Sequence, residues 1–346
     1  MSVTIREVAR EALVSVATVS RVLNGKGPVH ADTAKRIRKA AKRLHYVPHG
    51  GARSLITRRT TTLGVLLPEL HGEFFSELIR GIDVCARRKE YHLLVSSSHS
   101  DRAESEEMVR AMRGRVDGLI VLSPDVRPHT LKANLPEQFP VVLVNTAGGQ
   151  GAFDSLAVDN FGGAVEMVRH MVGLGHRRIA FLQGPAANRD ASERLRGYRD
   201  AIAEQGHADA AVEIAGDFRE ESGYEASGRI LSMKRRPSAV FAANDSMAIG
   251  LLCGFQEKGV RVPQDVAIAG FDDIPIARYV TPPLTSVRVP IAELGARAAE
   301  LLIAGLEAGP GRRRTRETLS TRLVVRSSCG ESDGARSRSA SGSGYG

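Results

Sequence analysis

TIREVAREALVSVATVSRVLN, residues 4–24, contains two short helical patterns joined by a tight turn. Thr4 and Glu7 stand at the spacing of a capping box, so a helix can begin at Ile5. Ile5, Val8, Ala9 and Ala12 then recur as one buried helical stripe. Leu13 and Val14 interrupt the run. Ser15 is placed to cap a second helix, whose inward stripe is Val19, Val22 and Leu23. Val16, Ala17, Ser20, Arg21 and Asn24 fall on the opposite face. This is the layout of a helix-turn-helix, whose second helix lies in the major groove of DNA. A helix pair alone reads first as an ordinary amphipathic pair with a solvated basic face, so the flanking residues decide.

A third helical pattern follows, with Ala34, Ile37, Ala41 and Leu44 inward and Lys35, Arg36, Lys39, Lys42 and Arg43 outward. Charge follows the same division. Residues 1–60 hold 13 Lys and Arg against 3 Asp and Glu, residues 310–346 hold 8 against 3, and residues 61–309 hold 27 against 33. A small basic module on a mildly acidic body suits a polyanion-binding head on a body that does not bind nucleic acid.

At 346 residues, 42% hydrophobic and 25% charged, the chain is long enough for two or three domains with real cores. No apolar run is long enough to span a bilayer and no signal-type apolar segment begins the chain, so a cytoplasmic, membrane-free protein is expected. The three cysteines, Cys85, Cys253 and Cys329, have no metal-ligand spacing and read as free thiols.

Beyond a Pro/Gly/Arg-rich linker at 48–60, short apolar runs alternate with helical patterns. The runs at 62–68, 91–97, 117–123, 140–145, 177–184, 238–245 and 266–273 read as strands. Helices are expected near 73–89, 102–113, 160–173, 192–205, 219–232 and 246–258. Near-continuous apolar strands separated by helices indicate parallel sheets covered on both faces. The fold class expected is an all-α helix-turn-helix head on a two-lobed α/β core. Its parts are a head at 1–47, a hinge at 48–60, a core at 61–329 and a Gly/Ser-rich tail, expected to be disordered, at 330–346. The core switches lobes near 158 and crosses back near 288. Parallel sheets bind ligands beyond the carboxyl ends of their strands, where Asn145, Asn244-Asp245 and Asp272-Asp273 lie.

TIREVA, VSVATVSRVLN, the YVP after the third helical pattern, and ARSL occur here in order and at fixed spacing. In these words the chain resembles the lactose-repressor (LacI/GalR) family of bacterial transcription regulators. The core resembles that family's effector-binding part, a fold shared with periplasmic sugar-binding proteins. Together the two resemblances cover residues 3–329.

The resemblance implies a homodimer on a pseudo-palindromic operator. Thr4, Ser15, Val16, Ala17, Thr18, Ser20, Arg21 and Asn24 would meet DNA, with Val16 and Ala17 at the operator-selecting positions. Small apolar side chains there can touch only apolar base edges, whereas Arg21 can bond a guanine edge bidentately. Arg53 and Leu55 would belong to a hinge helix, with Leu55 as a minor-groove wedge. His49 stands where the family usually has Asn, and Gly50-Gly51 weaken helix propensity. The effector would meet Phe74, Phe75, Asn145, Asp159, Arg194, Phe218, Asn244 and Asp272. Arg, Asp and Asn converging with aromatics suit a polyhydroxylated ligand. A carbohydrate is the leading expectation and a purine the alternative. The alternative reading of Asp159, Arg194 and Asp272 is a structural ion network or helix caps, and Asp273 reads as a cap of the segment after it.

No G-x-S-x-G, H-E-x-x-H or P-loop is present, and Gly173-Leu174-Gly175 precedes a strand, the wrong order for a dinucleotide fingerprint. No catalytic residue, metal or cofactor is expected. A pure solute-binding protein fits 61–329 but not the head, and an NAD-dependent enzyme lacks its phosphate loop. Leu13 departs from the family's glycine in the helix-turn-helix turn. The expectation is backbone strain at Leu13, partly offset by packing.

Overall fold

The computed structural model describes residues 3–23, 28–46, 59–99, 101–123, 126–146, 151–206, 211–309 and 311–330. Asn24, the hinge residues Arg53 and Leu55, the pair Gly50-Gly51 and the 331–346 tail lie outside the described residues. Contacts divide the chain into two units: Met1–Thr62 with Gly114–Asp117, and the remainder.

The first unit contains α1 (Ile5–Glu11), α2 (Val16–Leu23) and α3 (Ala31–Arg43). The helices meet on Val8, Ala9, Ala12, Val19, Ile37, Ala40 and Ala41, with Val22, Leu23 and Leu44 packed beside them. At the start of α1 the Glu7 carboxylate accepts the Thr4 amide (2.7 Å) and hydroxyl (3.0 Å). Those bonds hold the Glu7 carboxyl below its usual range. The Thr18 amide donates to Ser15 Oγ at 3.1 Å, closing the start of α2.

The turn between α1 and α2 is a Schellman closure. The Leu13 amide donates to Arg10 O and the Val14 amide to Ala9 O, with Leu13 in the left-handed region at φ 49°. Arg36 Nε donates to Ala12 O, tying α3 to this turn. Leu13 is 84% exposed. The expected packing offset is therefore absent: the strain stands and the side chain is not buried.

The second unit is built on two six-stranded sheets. The first has order β2 (His92–Ser97), β1 (Thr62–Leu67), β3 (Gly118–Val121), β4 (Val141–Val144), β5 (Asp154–Val158), β11 (Arg316–Leu319). The second has order β7 (Val212–Ile214), β6 (Ile179–Leu182), β8 (Ala239–Ala242), β9 (Ala267–Asp272), β10 (Thr285–Arg288), β12 (Arg322–Val324). Both follow one doubly wound plan. β1 pairs with β3 in parallel and β6 with β8 in parallel, whereas β12 runs antiparallel to β10.

The helices are α4 (Glu73–Arg88), α5 (Arg102–Met112), α6 (Pro128–Asn134), α7 (Asn160–Gly173), α8 (Arg189–Glu204), α9 (Glu220–Leu231), α10 (Asp245–Glu257) and α11 (Ile291–Ala308). The chain leaves the first sheet after β5 and enters α7, which packs against α8, β10 and β12. After β10 it returns through α11 to the first sheet. A third crossing, between β11 and β12 at Ser320-Thr321, is absent from the sequence reading. The return helix α11 lies against α4 so closely that a Cβ on Gly81 would stand 2.0 Å from Ala292 O, and one on Gly295 would stand 2.2 Å from Leu78 O. Only glycine permits that approach.

Candidate functional site

Two surfaces carry the expected site residues, one in each unit. In the first unit, α2 is anchored by Val19 at 0% exposure, which turns Val16, Ala17 and Arg21 to the outside. Val16 is 41% exposed. An apolar residue displayed at the start of a capped helix has no packing role there. Thr4 and Ser15 are exposed, while Thr18 and Ser20 are half-buried. Ser15 and Thr18 share a 2.9 Å hydroxyl contact, so both also serve the cap.

In the second unit, a cleft of about 900 Å³, counted to its open mouth, lies where the carboxyl ends of both sheets converge. Phe74 and Phe75 on α4 and Asn145 after β4 line it from the first sheet's side. From the second come Arg194 on α8, Phe218 after β7, Asn244 after β8 and Asp272 at the end of β9. Seven of the eight expected effector residues thus meet in one cavity.

Asp159 is the exception. It is exposed and caps α7, accepting the Gly162 amide at 2.8 Å, and it does not line the cleft. Its neighbour Asn160 takes the inward position instead, 3% exposed, with Oδ1 accepting from Arg194 Nε at 2.8 Å and Nδ2 donating to Asp190 Oδ1 at 2.9 Å. Asp273 needs a second correction. Rather than capping the next segment, its carboxylate pairs with Arg288 Nε at 2.5 Å and Arg326 Nη2 at 2.6 Å.

Arg194 organises the floor of the cleft. At 4% exposure it donates to Asn160, to Ala243 O (2.5 Å) and to Asp272 Oδ1 (2.9 Å). Its guanidinium stacks 3.8 Å above the Phe271 ring. Burial pushes the Asp272 carboxyl up to about 6 despite the opposing charge of Arg194. Burial likewise pushes Asp190 up to about 6. Asp245, at 0% exposure, accepts from Ser286 Oγ (2.6 Å) and the Ile274 amide (2.9 Å). Burial, reinforced by Asp272, lifts its carboxyl well above the usual range.

The remaining residues are held by their backbones. Asn145 (φ 51°), Phe218 (φ 75°) and Asp272 (φ 106°) all adopt positive φ as the chain leaves a strand for the cleft. Strained conformations of this kind cluster at functional sites. Asn244 caps α10 through the Met247 amide and donates Nδ2 to Phe218 O at 2.8 Å, fixing the aromatic loop. Two contacts bridge the lobes at the mouth: Arg219 to Glu69 at 3.4 Å, and the Ile276 amide to Glu73 at 2.9 Å.

Sequence reasoning missed Asn188, Asp190 and Ser246 in this wall. Asn188 and Asp190 carried one usable signal, two polar residues at the cap and in the first turn of the helix that holds RLRGY. Among the described residues no cluster of three metal-ligating side chains occurs, and no helix is long and apolar enough to cross a membrane.

Comparison with known proteins matches residues 4–49 to "Bacterial regulatory proteins, lacI family" and residues 168–329 to "Periplasmic binding protein-like domain". Catabolite control protein A of Priestia megaterium is 36% identical over 306 residues, 87% of this chain and 92% of that protein. The lac repressor dimer bound to operator and the anti-inducer ONPF superimposes with a TM-score of 0.85 at 27% identity, covering 96% of this chain and 100% of that one. A complex of the transcriptional regulator CelR with cellobiose matches with a TM-score of 0.70 at 31% identity, covering 94% and 99%.

Proposed function

The chain belongs to the lacI family of bacterial regulatory proteins, and from that premise we propose that it is a repressor that binds a pseudo-palindromic operator as a homodimer and is controlled by a small polyhydroxylated effector. The observation that carries the reading is the capped α2 helix, which turns Val16, Ala17 and Arg21 outward on a basic head. In this reading residues 1–47 read DNA, 48–60 form the hinge and 61–329 bind the effector and dimerise. The reading assigns binding rather than catalysis, and a cytoplasmic, nucleoid-associated location.

The cleft lies between two lobes whose mouth is bridged by Arg219–Glu69 and by Glu73. A ligand that contacts both lobes differs in affinity between their relative arrangements, and that difference is the coupling free energy available to regulate the head. The cellobiose held by the CelR neighbour supports a carbohydrate-type ligand.

The test is operator selection from a random duplex library with the full chain, followed by binding titrations across salt. A palindromic site should emerge. The logarithm of its binding constant should fall linearly with the logarithm of salt, because 13 Lys and Arg sit on residues 1–60. Selection of no symmetric site, or salt-independent binding, would refute the assignment.

A further inference from the structure

Thr60-Thr61-Thr62 lead into β1, and their backbone is held from both sides by one carboxylate and two hydroxyls. Asp117, the residue ahead of β3, accepts the Thr60 amide (2.6 Å) and the Thr60 hydroxyl (2.8 Å) on Oδ1, and the Thr61 amide (2.9 Å) on Oδ2. The Thr60 carbonyl in turn accepts from the Thr61 hydroxyl at 2.7 Å and the Thr62 hydroxyl at 3.1 Å. The Asp117 amide donates to Thr62 O at 2.8 Å.

The conformation so held is a costly one. Thr61 sits at φ 51°. A β-branched residue in the left-handed region is a steric outlier, because its Cβ crowds the backbone. Such a residue stays there only where its surroundings over-determine it, and outliers of that kind cluster at clamps and switches. Packing does not call for this one. Thr60, Thr61 and Thr62 are half-buried, and the Thr61 hydroxyl is spent on its own neighbour.

The clamp stands on a rigid part of the fold. β1 and β3 pair in parallel from Leu63 opposite Gly118, directly after it. All of β3 is buried, and so is β1 beyond Thr62. A Cβ on Gly118 would stand 2.8 Å from Leu302 Cδ1, so the backbone beside Asp117 is seated against α11. The chemistry is specific too. Three donors converge on two oxygens, and a carboxylate accepts at both. An amide of the same shape turns an N–H toward one of them.

Resting on the reading of the chain as an operator-binding dimer, we propose that Asp117 is a positioning residue for operator binding. It holds Thr61 in the left-handed conformation and so fixes the direction in which the hinge of that reading departs from β1. That direction matters where two heads must meet two half-sites at one separation. A head bound to random duplex is indifferent to it.

The experiment uses the full chain and the symmetric duplex it selects from a random library. It adds copies of that duplex with one base pair inserted or removed at the centre, and a random-sequence duplex. Asp117→Asn keeps the side chain's shape and replaces one acceptor by a donor. It should weaken binding to the selected duplex about tenfold, leave binding to random duplex unchanged, and flatten the preference for the selected spacing. Thr61→Gly alone retains the clamped amide and should bind like the wild type. In the Asp117→Asn background it should restore about fivefold, since glycine reaches the left-handed region without the steric cost. Equal weakening on selected and random duplexes, an unchanged spacing preference, or no rescue by Thr61→Gly overturns the proposal. So does an Asp117→Asn chain that unfolds before DNA can be titrated, which would make the carboxylate a folding group. A wild type that selects no symmetric duplex fails the regulator reading, and this proposal with it. A wild type that selects one, beside variants that match it, refutes only the role of Asp117.

Discussion

Arg194→Ala is expected to destabilise the core by about 3–5 kcal/mol at pH 8, because removing one partner of a buried pair leaves the other charge uncompensated. The loss is not confined to one bond. Asn160 Oδ1, Ala243 O and Asp272 Oδ1 each lose a donor inside a floor where Arg194 and Asp272 are 4% and 5% exposed. Arg194→Lys should recover little, since one ammonium cannot reach three acceptors in the plane of a guanidinium stacked on Phe271.

The deficit should shrink on acidification. Asp272 already titrates at about 6 with Arg194 beside it, above its unfolded value. Without the guanidinium its folded value rises further. A raised carboxyl contributes stability that is present at low pH and lost as pH rises through the folded value, so the variant takes up its proton first and gains on the wild type as pH falls from 8 to 6. Contributions common to both proteins cancel in the difference, including those of His170 and His176, whose burial lowers their values. Chemical denaturation of both proteins at pH 8 and pH 6 measures this. A deficit under about 1 kcal/mol, or one that grows on acidification, would mean that the buried network does not exist as described.

How far this site was legible in the sequence depends on where each residue sits relative to an element. Asn145, Asn244 and Asp272 follow apolar strands that are buried on both faces, and a polar residue at the end of such a run is conspicuous. β3, β4, β6, β8 and β9 are buried along their whole length, which is why continuous apolar runs revealed them. Asp190 and Asn160 stand instead in the first turns of helices, where direction depends on helix phase. Asp159 and Asn160 are adjacent, yet the start of α7 turns one to solvent as a cap and the other onto Arg194. Spacing alone does not separate them.

β5, β7, β10, β11 and β12 escaped the sequence reading, the last three for a different cause. β11 (RETL) and β12 (RLV) are short and polar, and their conformation follows from partners far away in the chain, Leu319 opposite Val158 and Leu323 opposite Val287. β10 hides Thr285 and Ser286 at 0% exposure because Ser328, Arg326 and Asp245 satisfy them. No local pattern announces that. The 18-residue α11 was also unassigned. Gly295, Ala298 and Ala299 on its buried face dilute the apolar stripe, although the close approach to α4 requires such small residues.

Leu13→Gly should raise the stability of the head by about 1 kcal/mol. An L-residue in the left-handed region costs roughly 1–2 kcal/mol, and glycine gives back part of that gain through its greater freedom in the unfolded chain. The structure removes the competing term. With Leu13 84% exposed, no burial is lost on truncation, and both closure bonds, to Arg10 O and Ala9 O, are made by backbone amides that glycine retains. The turn sits directly before α2, so the gain falls on the element that carries Val16, Ala17 and Arg21. A unit of about 60 residues responds strongly: 1 kcal/mol corresponds to roughly 4–8 °C in its midpoint and about fivefold in amide protection. Hydrogen exchange of the α1 and α2 amides in the full chain should therefore slow about fivefold in the glycine variant, while amides of β3 and β9 stay unchanged. Faster exchange in α2 would show that the leucine side chain stabilises the turn by more than its backbone costs, contrary to its exposure.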